Sequence, residues 1–208
     1  REILHSMLKA SATPLKQFED TFSVDSSGFN TRTYLTSWKD EKYGTKPKRK
    51  FVKCHIICGN KTHVVADAVV TESSVADAKE FIPLVNGIKG EFDVKHVLAD
   101  SGYLSKDNYA MFDDMIDTDA LIMFKTNSRD YENCPAWHKA YAKFREEEDT
   151  FYREYNQRRN VESTFGAIKD KYGETLKAAK FPAQESELYC KLIAYNISVL
   201  VKMAHEVY

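Results

Sequence analysis

The chain has 208 residues, 43% hydrophobic and 12% aromatic, enough to bury a core within one domain. Lysines and arginines number 30 against 31 aspartates and glutamates, a formal net charge of −1, so the chain has no overall basic excess and any nucleic-acid contact must rest on local patches. The most apolar stretch, 188–204, is broken by Lys191, Asn196 and Lys202, which argues against a membrane span.

Residues 1–18 read as the tail of an upstream helix with a linker, ahead of a domain spanning 19–208, and a further region is expected upstream of Arg1. In "TFSVD" (21–25), Phe22 and Val24 alternate with polar residues, which predicts a short strand ending in the turn-prone "SSGF". A lysine-rich stretch follows. "KFVKCHIIC" (50–58), "GNK" and "THVVADAVV" (62–70) then form an expected antiparallel hairpin. Cys54 and Cys58 share the Val52/Ile56 face of that strand, and with His55 and His63 close in sequence a zinc site comes to mind. The alternation instead favours buried core thiols, and four cysteines in all fit a reducing, cytoplasmic compartment.

Ser74 and Asp77 have capping-box spacing, and Val75, Ala78, Ile82 and Val85 line one face of the helix they would start, with Pro83 a candidate kink or end. "VKHVLAD" (94–100) predicts a fourth strand closing on Asp100. A helix capped near Ser105 and a fifth strand, "ALIMF" (120–124), follow. Residues 125–150 read as a surface excursion, with the acidic "REEED" (145–149) favouring a helix start. Two helices, 151–172 and 185–206, close the chain. The order β-β-β-α-β-α-β-α-α predicts an α/β fold.

The first closing helix carries the densest chemistry. At about 100° per residue, Tyr155, Arg158, Glu162 and Lys169 fall on one stripe about 60° wide. Val161, Phe165 and Ile168 occupy the adjoining apolar flank, and Gly166 leaves the side beside Glu162 bare. "FSVDSSG" and "VLADSG" each deliver an aspartate, Asp25 or Asp100, from an apolar strand into small residues. If those strands are neighbours, Asp25, Asp100 and Glu162 converge. Three such carboxylates drive up one another's pKa unless a cation is present, and their oxygens select hard ions such as Mg²⁺ or Mn²⁺. Two such ions suit phosphoryl transfer, with Arg158 and Lys169 as phosphate clamps. Taken singly, each residue has a plainer reading: a turn-forming aspartate, or a solvated ion pair on a helix.

Together these residues resemble the catalytic core of the DDE transposases of prokaryotic insertion sequences, in the group with a Y-x2-R-x3-E-x6-K motif. That motif falls here on Tyr155, Arg158, Glu162 and Lys169 without a change of spacing, and the first two acids match Asp25 and Asp100. The resemblance runs from about Phe18 to the C-terminus. It implies a ribonuclease-H-like five-stranded mixed sheet flanked by helices, three antiparallel strands followed by βαβα. It also implies two Mg²⁺ or Mn²⁺ ions on Asp25, Asp100 and Glu162, and phosphate contacts from Tyr155, Arg158 and Lys169. The activity implied is cleavage of double-stranded DNA at element ends and transfer of the new 3′-OH into target DNA, by a homodimer in a synaptic complex, associated with the nucleoid. The alternatives are a metal-dependent nuclease that does not join, and a domesticated DNA-binding protein. Relatives that use a DNA hairpin carry a β-rich insertion before the glutamate helix; here residues 125–150 hold only Trp137, expected as a packing residue, and the cleavage route is left unassigned. The basic run 39–53, with Lys46, Lys48, Arg49 and Lys50, is a candidate DNA-backbone contact and equally a solvated loop.

Overall fold

A computed structural model of the chain describes residues 2–35, 48–115 and 117–206. Five strands, β1 (Thr21–Leu35), β2 (Lys48–Gly59), β3 (Val65–Glu72), β4 (His96–Ala99) and β5 (Asp119–Ile122), form one mixed sheet in the order β3-β2-β1-β4-β5. The first three pair antiparallel, and β4 and β5 add in parallel, each reached through a helical crossover. This is the five-stranded ribonuclease-H-like arrangement expected from the sequence.

One strand differs from its expected form. β1 does not stop at "SSGF" but runs 15 residues to Leu35. Pairing explains why: β4 engages only Thr21 to Val24, whereas β2 stays in register from Phe22↔Gly59 through Asn30↔Phe51 and, after an irregularity, to Leu35↔Lys48. Satisfied backbone groups on the β2 side outweigh the turn preference of Ser26, Ser27 and Gly28, and Phe29 and Thr31 anchor the extension by burial.

The helices are α1 (Glu2–Ala12), α2 (Ala78–Ile88), α3 (Lys106–Ala110), α4 (Pro135–Glu146), α5 (Glu148–Tyr155), α6 (Arg159–Tyr172) and α7 (Phe181–Glu206). α2 begins later than the capping-box spacing predicts, and Asp77 makes no side-chain cap bond because its carboxylate is engaged elsewhere. Its buried face is Phe81, Leu84, Val85 and Ile88, and exposed Pro83 neither ends nor replaces a buried turn. Ser105 caps α3 as expected, accepting from the Asn108 amide at 3.1 Å.

Residues 125–150 are not a surface excursion. α4 buries Trp137 and Ala140, and Phe124 meets Trp137 edge-on at 5.1 Å and Tyr141 at 5.2 Å. The indole Nε1–H of Trp137 donates to the Arg129 carbonyl at 3.0 Å, so this ring packs. Glu148 and Asp149 open α5 in the position the helix dipole favours.

The helices cover both faces of the sheet. On one, α2 to α5 pack over Phe22, Val24, Ile57 and Val97; on the other, α6 and α7 cover Phe29, Cys54, Ile56 and Cys58. α1 joins the second layer through buried Leu8 and Ala12. Cys54 and Cys58 are wholly buried free thiols, each pushed up to about 12 by burial.

Candidate active site

The parallel register of β1 on β4 decides where the acids go. Its last paired step is Val24↔Ala99. The next residue on each strand is an aspartate, so Asp25 and Asp100 leave the same rung together. Asp25 points to the α6 side of the sheet, the face that also buries Ser23 and Phe29. Each is held by backbone: Asp25 Oδ1 accepts from the Ser26 amide at 2.8 Å, and Asp100 Oδ1 from the Gly102 amide at 2.8 Å. A Cβ at position 102 would lie 2.9 Å from Asp100 Oδ1, so a larger residue there would displace the carboxylate.

The third acid arrives from a helix that is broken rather than continuous. Where the sequence predicts one helix over 151–172, α5 ends at Tyr155 and a 3₁₀ turn, Asn156–Arg158, links it to α6. The tighter turn changes the wheel. Arg158 stands at the junction, with its guanidinium between two carboxylates: Nη1 donates to Asp25 Oδ2 at 3.2 Å and Nη2 donates to Glu162 Oε1. Arg158 and Asp25 are largely enclosed, at 15% and 17% side-chain exposure, whereas Glu162 is 55% exposed.

The electrostatics reflect this crowding. Burial, helped by the charges of Asp100 and Glu162, raises Asp25 to about 6 against the opposing Ser26 amide and Arg158. Arg158 is driven above its usual value, since Tyr155, Asp25 and Glu162 outweigh its own burial. Tyr155, half-buried and stacked on Phe151 at 5.9 Å, is raised mainly by burial.

Of the predicted site residues, Asp25, Asp100, Glu162, Tyr155 and Arg158 thus come together. Lys169 does not join them: it lies at the far end of α6, over the Phe29 ring at 5.2 Å, four residues along β1 from Asp25. In the basic run, Lys46 falls outside the described residues, Lys48 and Arg49 are described only as backbone of β2, and Lys50 is exposed. Among the described residues, no three His, Cys, Asp or Glu side chains stand close enough to hold a metal ion. The donor chemistry nevertheless fits a hard divalent cation: Asp25 and Glu162 share the Arg158 guanidinium, and the Asp100 charge is near enough to help raise Asp25.

A second network lies behind Asp25, on the α2 face of the sheet. Asp77 Oδ1 accepts from Lys53 Nζ at 3.0 Å and from Ser26 Oγ at 3.1 Å, and Lys53 also donates to the Val75 carbonyl at 2.8 Å. His55 pairs through Nε2 with Thr71 Oγ1 at 2.9 Å, and its Nδ1 sits 3.7 Å from Asp77 Oδ1. Burial lowers His55 to about 4, so it is neutral and that approach is no ion pair. Strand alternation shows Lys53 and His55 sharing a face, but nothing in the sequence links them to Asp77 or to Ser26.

The family model for the transposase DDE domain matches residues 16–197. No curated protein sequence matches the chain. Among solved structures, a piggyBac transposase, determined by cryo-EM in a synaptic complex with hairpin DNA, superposes with a TM-score of 0.55 at 10% identity. The superposition covers 98% of this chain and 54% of that one, so the chain spans about half its length, and at this identity the likeness concerns the fold. No helix among the described residues is long and apolar enough to cross a membrane.

Proposed function

The chain belongs to the transposase DDE domain family, and from that premise we propose that it is the catalytic domain of an insertion-sequence transposase of the Y-x2-R-x3-E-x6-K group. Its substrate is double-stranded DNA, and it works as a homodimer at paired element ends, on the nucleoid. Asp25, Asp100 and Glu162 hold two Mg²⁺ or Mn²⁺ ions. One observation carries the reading: the β1/β4 register delivers two aspartates from one rung, and a helix brings a glutamate to the guanidinium that Asp25 shares.

When bound, such ions activate an attacking oxygen and stabilise the one that leaves. The protein's part is positional. In the first step a water oxygen attacks phosphorus at the element end, the P–O3′ bond breaks, and the departing oxygen takes a proton to become a 3′-OH. In the second, that 3′-OH attacks a target phosphodiester, a new P–O3′ bond forms, and the target's own 3′ oxygen leaves. Each step exchanges one P–O bond for another and needs no outside energy source. Arg158, relieved of its carboxylates, offers a planar fork to a phosphate, and Tyr155 fixes its direction. Lys169 contacts the DNA backbone further along the duplex. Bare Gly166, where a Cβ would meet nothing within 4 Å, lets that backbone come close to α6.

The test is cleavage and joining on a supercoiled plasmid bearing the DNA that flanks the protein's own gene. The reading predicts Mg²⁺- or Mn²⁺-dependent nicking at the ends, then joined products. Hydrolysis without joining marks a plain nuclease, and DNA binding without cleavage marks a domesticated binder.

A further inference from the structure

The network behind Asp25 has no role in the chemistry above, yet it reaches Asp25 through Ser26 and borders Asp100 at Gly102. Ser26 links the two faces of β1: its amide holds Asp25 Oδ1 at 2.8 Å, and its hydroxyl, on the opposite face, donates to Asp77 Oδ1 at 3.1 Å. On the other side Asp77 approaches Asp100. A Cβ at Gly102 would lie 2.9 Å from Asp100 Oδ1 and 3.8 Å from Asp77 Oδ2, so the two carboxylates flank one glycine.

His55 Nδ1, fully buried, faces Asp77 Oδ1 at 3.7 Å without a hydrogen bond, and buried Tyr103 stands beside Ser26 and the same acids. Lys53, held at both Val75 and Asp77, pins the turn before α2 against β2 and keeps the Asp77 carboxylate aimed at Ser26.

We propose that Asp77, held by Lys53, is a positioning residue that fixes the Asp25 carboxylate through Ser26 and faces Asp100 across Gly102, so that the two acids face one divalent ion. Asp77 acts through its neighbours and does not itself ligate. This rests on the reading of Asp25, Asp100 and Glu162 as metal-holding acids.

The test is Mn²⁺ binding to the full chain without DNA, followed by the electron paramagnetic resonance of free Mn²⁺. Outer-shell partners of metal ligands typically account for about 10–100-fold in affinity. Asp77→Asn and Ser26→Ala should each weaken Mn²⁺ about tenfold, and Ser26→Thr, which keeps the hydroxyl, should restore it. The double variant should be no weaker than the worse single one, because both cut the same link. Affinities within twofold of the parent in both single variants, or additive losses, would overturn the proposal. So would loss of binding in Asp77→Asn with Ser26→Ala unchanged, which would make Asp77 a ligand. If Asp77→Asn does not fold, Ser26→Ala against Ser26→Thr decides. A parent protein that binds no Mn²⁺, or an Asp25→Ala variant that binds as well as the parent, fails the underlying reading instead.

Discussion

Asp25 and Asp100 share a local sequence, an apolar run, an aspartate and then small residues, but their backbones differ in kind. Asp100 follows a four-residue strand and sits in a turn that closes on Gly102. Asp25 lies well inside a 15-residue strand and is extended on both sides. Two positions that look alike in sequence therefore reach one place by different means. What brings them together is neither strand end nor turn but the point where parallel pairing of β1 with β4 stops, at Val24↔Ala99. The difference also sets their environments: the mid-strand acid is enclosed and raised to about 6, while the turn acid is secured by an amide at the mouth of the site.

The comparison breaks first if the two acids are not equivalent in function. Asp25→Asn, Asp100→Asn and Glu162→Gln should each reduce end cleavage by about three orders of magnitude or more, given the several kcal/mol that charge stabilisation by bound ions supplies. Circular dichroism should show the fold retained. Residual cleavage above about a tenth of the parent in any one variant would remove that acid from the set.

The unequal environments give the next effect. Asp25 is raised in the folded protein, so from about pH 4 the unfolded chain releases a proton that the folded chain keeps until about pH 6. The stabilisation is complete below the unfolded value and is lost as pH rises through 6. In metal-free buffer that contribution falls by up to about 3 kcal/mol over the window, and it opposes buried His55, lowered to about 4, whose contribution grows as pH rises from about 4 to 6.5. Asp25→Asn should therefore leave stability rising with pH between about 4 and 6.5, more steeply than in the parent or in Asp100→Asn; urea midpoints across pH 4–8 measure all three.

Arg158 provides a smaller and more specific handle. Arg158→Met leaves the enclosed Asp25 carboxylate without its cation and should cost about 1–3 kcal/mol in metal-free protein. Added Mg²⁺ should then raise the melting temperature more in the variant than in the parent, since no guanidinium competes for the acids. An equal shift in both would mean that Arg158 and the ion do not share a place.

Gly166 gives the least. With nothing near a Cβ there, Gly166→Ala should stabilise α6 by about 1 kcal/mol, seen as a raised melting temperature. Gly166→Leu should keep that gain while weakening DNA binding. Unchanged DNA binding in Gly166→Leu would indicate that the duplex does not approach α6 at this position.

Much of this arrangement is legible in the sequence, for identifiable reasons. Alternation in "KFVKCHIIC" and the apolar run "HVLA" report strands directly, because their periods survive burial on one face or both. The three acids and the Tyr155/Arg158/Glu162 spacing are equally readable. Less readable is whatever depends on long-range pairing. β1 runs through Ser26–Gly28 only because β2 lies beside it, and the 3₁₀ turn at 156–158 gives no signal in a helical wheel. Trp137, Tyr141 and Phe144 sit at helical spacing among charges, so their burial in α4 is masked by the residues between them. Asp77 carries the ordinary look of a helix start, and only the fold turns it toward Ser26.

The most direct measurement is anomalous diffraction from crystals of the protein soaked in Mn²⁺. The account predicts density between Asp25 and Asp100, with Glu162 alongside and the Arg158 side chain turned out of its present place. Arg158 still bridging Asp25 and Glu162, with manganese absent from all three acids in well-occupied crystals, would contradict it.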